Sequence, residues 1–185
     1  MDDSLFIGQQ VRLAAINPET DSELFARWDR DAEYQRLLDS EPRALITAKK
    51  IKESIAKELE EGTGEIQFLI RTLAGDQPIG FIALEPPDWQ HGDAIVGVGI
   101  GAREFWGNGY GTDAMRVMLR YAFTELNLWR VTLDVFEYNE RAFKSYLKAG
   151  FVLEGRQRQA LRRDGQRWDL IYMGILREEW ERLNG

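Results

Sequence analysis

The chain has 185 residues, 44% of them hydrophobic and 30% charged, with a formal net charge of -7, and that balance points to one ordinary globular domain able to bury roughly 70% of its unfolded surface. The absence of cysteine excludes disulfides, thiolate metal sites and a cysteine nucleophile, and fits a reducing compartment. The acidic balance argues against nucleic acid as a partner, because a phosphate backbone needs clustered Lys and Arg, and it favours cationic substrates. Residues 1–10, MDDSLFIGQQ, lack the basic segment and apolar run of a signal peptide. No apolar stretch approaches the ~18 residues of a membrane span. A cytoplasmic protein with no membrane partner is expected.

QQVRLAAI (residues 9–16) alternates as a first strand. Thr20 and Glu23 stand at capping-box spacing ahead of Leu24, Phe25 and Trp28, so a helix is expected there. YQRLLDSEPRAL (34–45) fits no single pattern, and Pro42 breaks it. A second helix is expected over residues 47–61, with Ile51, Ile55 and Leu59 on one stripe and Gly62 and Gly64 as stop signals. EIQFLIRTL (65–73) and PIGFIALE (78–85) form a hairpin across AGDQ. PPDWQHGD (86–93) is a loop, and AIVGVGIG (94–101) is a glycine-rich strand. After a glycine loop, Ala114, Met118, Ala122 and Leu126 recur four apart beside Met115, Leu119 and Phe123, the broad stripe of an amphipathic helix. WRVTLDVFE (129–137) is a strand with Val131, Leu133 and Val135 on one face. NERAFKSYLKAGF (139–151) opens on an N-cap asparagine and closes on Gly150. FVLEGRQRQAL (151–161) and RWDLIYMGIL (167–176) are strands around RRDGQ, and a short helix starts at Arg177. The order describes one mixed α/β domain.

FWGNGYGTDAM (105–115) places three alternating glycines directly before a helix. A helix start offers unpaired N–H groups and a partial positive charge, and phosphate is its usual partner. Gly107, Gly109 and Gly111 let backbone approach a phosphate closely. The N–H groups from Asn108 through Tyr110 to Thr112 then face a diphosphate, and the Thr112 hydroxyl adds a donor. A tight turn without a ligand is the alternative. A Walker loop needs Lys and Ser or Thr after the last glycine, and neither follows here. GVGIGA (97–102) fits a dinucleotide fingerprint, but REFWGNGYG separates it from the helix it must open.

GAREFWGNGYGTDAM (101–115) resembles the acetyl-CoA pyrophosphate loop of the Gcn5-related N-acetyltransferases (GNAT), in the subgroup of ribosomal-protein-alanine and polyamine acetyltransferases. NERAFKSYLKAGF resembles the family's second CoA motif, and residues 151–180 that subgroup's C-terminal hairpin. The resemblance implies a single N-acetyltransferase domain over 1–185. Its fold is a twisted, mostly antiparallel sheet with splayed fourth and fifth strands and helices on both faces. It implies acetyl-CoA as cosubstrate, no metal, and an acceptor amine on a small molecule or a protein N-terminus. A homodimer is compatible with it.

By the same resemblance, backbone at Ile100 and Gly101 holds the pantetheine arm, and Gly107 to Thr112 hold the diphosphate. Asn139 contacts CoA or serves only as a cap. Tyr146 protonates the departing thiolate or packs its helix. Gly97 and Gly99 answer to a close ligand or a bulge. Trp106, where many members carry Arg or Gln, reads as a packed aromatic. Many members place a general-base Glu where Ile95 stands, which leaves Asp93, His91, Glu104, Asp134 or a water chain to take the amine's proton. Trp28, Tyr34 and Trp89 are candidates to line the acceptor site. The competing reading is a non-catalytic acyl-CoA-binding module.

Overall fold

A computed structural model of the chain describes residues 5–42, 45–62 and 64–185, with the Leu59 side chain and positions 43–44 of the YQRLLDSEPRAL segment outside that description. The strands β1 (Val11–Ala14), β2 (Ile66–Thr72), β3 (Pro78–Leu84), β4 (Asp93–Ile100), β5 (Arg130–Phe136), β6 (Val152–Arg163) and β7 (Gln166–Leu176) form one sheet in the order β1-β2-β3-β4-β5-β7-β6. Neighbours pair antiparallel except β4 and β5, which run parallel. The helices are α1 (Pro18–Trp28), α2 (Ala32–Leu38), α3 (Ala48–Glu61), α4 (Tyr110–Thr124), α5 (Glu140–Ala149) and α6 (Arg177–Asn184). No helix among the described residues is long and apolar enough to cross a membrane.

The first helix begins earlier than the Thr20–Glu23 spacing predicts. Asn17 is the cap, its side chain accepting the Glu19 N–H at 2.9 Å, and Pro18 takes the first helical position. Proline there loses no hydrogen bond and brings a helical φ, so the Asn-Pro pair outcompetes the later capping box. Of the ambiguous segment after it, residues 34–38 belong to α2, which is capped by Asp31 and ends before Pro42. The final hairpin turns on two residues, Asp164 (φ 53°) and Gly165 (φ 73°). Both lie in the left-handed region, which matches the twist of the strands, so Arg163 and Gln166 pair instead of joining the turn.

One face of the sheet carries the main core. Ala114, Met115, Met118, Leu119, Ala122 and Phe123 of α4 are buried against Val11, Ile79, Val96, Val131 and Val135. A side chain such as Phe123 gains about 1.5–3 kcal/mol from that burial. The other face holds Trp28, Tyr34 and Leu69, packed with Phe25, Leu38, Phe81 and Trp106. α3 lies along α1, with Ile51 and Ile55 half-buried. Asp113, 4% exposed in the first turn of α4, accepts the N–H groups of Gln9 (3.0 Å), Gln10 (2.7 Å) and Val11 (3.0 Å). That carboxylate fixes the start of β1 to the start of α4.

Candidate active site

β4 and β5 pair at only three positions: Asp93 with Arg130, Ala94 with Val131 and Ile95 with Thr132. Beyond Ile95, β4 stays on β3 as far as the Gly80–Ile100 pair, while β5 stays on β7 as far as the Phe136–Leu170 pair. The two halves of the sheet therefore part. Glu85 donates to the Ile95 carbonyl, which makes these two a hydrogen-bonded pair. Strand alternation then turns the N–H and C=O of Gly97 and Gly99 to β3 and those of Val98 and Ile100 into the opening. The Ile100 carbonyl is occupied there by the Trp106 indole N–H at 2.5 Å.

The pairing of β3 with β4 runs without a shift from Leu84–Val96 to Gly80–Ile100, so no bulge accounts for the strand's glycines. Gly99 answers to a neighbour: a Cβ there would stand 2.5 Å from the Tyr34 hydroxyl. Gly101 lies under Trp28, whose ring a Cβ would strike at 2.1 Å. Gly97 faces open space.

Past β4 the chain makes one 3-10 turn, Arg103–Phe105, and enters the glycine loop. Gly107 (φ 78°) and Gly109 (φ 90°) are left-handed, a conformation that costs other residues strain. Gly109 caps α4 without any side-chain hydrogen bond, so the helix's first N–H groups remain available to a ligand. The third glycine has a different basis: a Cβ at Gly111 would make ordinary contact with Ile100 at 3.6 Å.

α5 forms the opposite wall. Asn139, 8% exposed, accepts the Ala142 N–H at 3.2 Å and donates to the Leu37 carbonyl at 3.3 Å. It caps α5 and ties α5 to α2. Ser145 bonds Thr112 at 2.7 Å, which joins α5 to α4 and occupies the hydroxyl expected to face phosphate. Tyr146 is 9% exposed and borders the opening. Burial, with the Asp134 charge adding, pushes its phenol well above the ordinary range, so it holds its proton. The Arg141 guanidinium stacks on Trp106 at 3.9 Å from the ring centre, with Arg103 beside it at 5.0 Å.

These walls enclose a cleft of about 540 Å³. Ile100, Gly107, Gly109, Tyr110, Gly111, Thr112, Asn139 and Tyr146 all line it. Gly101 and Asn108 are not among its lining residues; Trp28 covers the first, and the Asn108 amide turns to the Glu104 carbonyl at 3.4 Å. Of the aromatics assigned to the acceptor side, Tyr34 lines the cleft. Trp28 is instead buried core, and Trp89 is 65% exposed in its loop. Sequence reasoning missed Val98, Arg141, Ser145 and the lysines Lys144 and Lys148, which also line the cleft. Three basic side chains at helical spacing on α5 were the available signal.

A parted sheet that turns backbone donors into a narrow opening, next to a glycine loop and a helix start without a side-chain cap, offers hydrogen-bond donors suited to a slender arm ending in phosphates. The acetyltransferase (GNAT) domain model matches residues 10–152, and the chain belongs to that family. The putative ribosomal N-acetyltransferase YdaF of Bacillus subtilis is 38% identical over 102 residues, about 55% of each chain. The SPbeta prophage-derived uncharacterized N-acetyltransferase YokL of B. subtilis is 29% identical across 96% of both chains. In fold, the chain superposes on the spermidine N-acetyltransferase of Vibrio cholerae in complex with CoA and spermine with a TM-score of 0.82 at 24% identity, covering 93% of this chain and 98% of that one.

Proposed function

We propose that the chain, as one N-acetyltransferase domain over residues 1–185, moves an acetyl group from acetyl-CoA to a primary amine. The acceptor is a polyamine or similar small cationic amine, or a protein N-terminus. The relatives named for ribosomal and spermidine acetylation support that range, and the net charge of -7 favours a cation. We assign the protein to the cytoplasm, with no metal, nucleic acid or membrane in its reaction, and allow for a homodimer.

The single observation behind this reading is that one cleft joins the start of α4, which has no side-chain cap, to Tyr146 beside the β4–β5 opening. Acetyl-CoA supplies the activated acyl group and a diphosphate handle. The residues present fit both. The loop at Gly107 and Gly109 and the N–H groups at the start of α4 hold phosphate, with Arg141 and Lys148 supplying positive charge at the cleft, where Lys144 is paired with Glu140 at 3.0 Å. The N–H groups of Val98 and Ile100 face the arm and are placed to stabilise charge on the thioester oxygen. The amine nitrogen bonds to the acyl carbon as the carbon–sulfur bond breaks, and Tyr146 gives its proton to the sulfur. Ile95, 43% exposed, has no group that can take the amine's proton. Asp134 lies on the same sheet face, two residues beyond the Ile95–Thr132 pair, exposed yet partly desolvated by its neighbours, which raises its carboxyl above the ordinary range. Asp134 or water accepts that proton.

The test is thiol release from acetyl-CoA with spermidine, a simple alkylamine and peptides with free N-termini. Tyr146→Phe is expected to lower kcat by about 10²-fold while CoA affinity stays within about threefold of wild type. Tight CoA binding with no thiol release for any amine would favour the binding-module reading.

A further inference from the structure

Tyr34 is 4% exposed, and its hydroxyl has no hydrogen-bond partner among the described residues. A buried hydroxyl without a partner carries a desolvation cost, so its persistence calls for an explanation. Position gives one. Tyr34 lines the same cleft as Val98, Ile100 and Tyr146. Its hydroxyl lies against Gly99, where a Cβ would approach to 2.5 Å and only glycine leaves room.

The ring is also held in place. The Asp31 carboxylate accepts the N–H groups of Glu33 (3.0 Å) and Tyr34 (3.1 Å), and Arg103 donates to the same carboxylate at 2.6 Å. Arg103 belongs to the turn that leads into the glycine loop. From the other side, Asn139 and Tyr138 bond the Leu37 and Arg36 carbonyls of the same helix. Burial, with the Asp29 charge adding, keeps the phenol protonated. The result is a fixed, buried O–H donor on a residue that lines the cleft, with no acceptor among the described residues.

We propose that the Tyr34 hydroxyl donates a hydrogen bond to a carbonyl oxygen of the acyl-pantetheine arm lying along β4, which makes α2 part of the cosubstrate site. This inference rests on the acetyl-CoA reading above. The thioester carbonyl and the pantetheine amide carbonyls share the chemistry, and the ligands of the test separate them.

Tyr34→Phe keeps the ring and removes only the donor. Its affinities for CoA and acetyl-CoA are measured by calorimetry beside wild type, together with kcat and the melting temperature of the free protein. A loss of about three- to tenfold shared by CoA and acetyl-CoA supports a pantetheine amide as the acceptor. A loss confined to acetyl-CoA, with a lower kcat, supports the thioester oxygen. The free variant should melt no lower than wild type, because the unpaired hydroxyl is gone. Unchanged affinities and unchanged kcat would overturn the inference alone. A markedly lower melting temperature would also overturn it, by showing that the hydroxyl has a partner inside the protein. Failure of the wild type to bind CoA would overturn the acetyltransferase reading and this inference with it.

Discussion

Asp113 and Gly8 show how much one contact settles. The carboxylate satisfies three successive N–H groups at Gln9, Gln10 and Val11, and a Cβ on Gly8 would sit 2.5 Å from one of its oxygens. Asp113→Ala takes the acceptor from three N–H groups, that of Val11 buried, and is expected to cost about 2–3 kcal/mol. Urea unfolding measures that loss, and a change below about 0.5 kcal/mol would contradict the account. Nothing near Asp113 in the sequence announces this role, because its partners lie more than 100 residues away. Gly107, Gly109, Asn139 and Gly150 were legible because their reasons are local. Left-handed turns and helix caps are decided within a few residues. Tyr34 falls between these cases: its aromatic character suggests the acceptor side, but only the fold shows its hydroxyl against Gly99.

At the scale of elements, the strands and the two CoA-motif helices followed from periodicity and end signals. The misses came where two local signals competed. Asn17-Pro18 overrode the Thr20–Glu23 box, and the Asp164-Gly165 pair shortened the last turn. α2 was obscured because its stability comes from outside itself. It has seven residues and relies on the Asp31 cap, on Arg103, and on Arg163, which donates to the Asp39 carbonyl at its end. The Arg103 guanidinium bonded to Asp31 holds that carboxyl at about 2, below its ordinary 3.8. A depressed carboxylate stabilises the fold above its unfolded value and loses that contribution as pH falls through the folded one. Asp31→Asn should therefore melt below wild type by a constant margin above about pH 5, and the margin should shrink between about pH 4 and pH 2. Melting curves across that range test it, and a margin independent of pH would contradict it.

Over the whole molecule, two features combine to make the site. One sheet carries cores on both faces, which leaves its parallel seam as the place where it parts. An acidic chain also gathers Arg141, Lys144 and Lys148 in that cleft against the single carboxylate of Glu140, an excess of positive charge that would steer an anionic ligand. Resemblance, not periodicity, points to the parting, since strand patterns carry no information about where two strands separate. Calorimetric titration of CoA into wild type and Gly109→Ala shows whether the glycine loop builds a CoA cleft. Alanine there must adopt φ 90° and bring its Cβ to 3.1 Å from the Gln10 amide. Wild type is expected to bind one CoA per chain, and the variant to bind it at least about tenfold more weakly. Equal affinities, or no binding to wild type at millimolar CoA, would contradict that expectation.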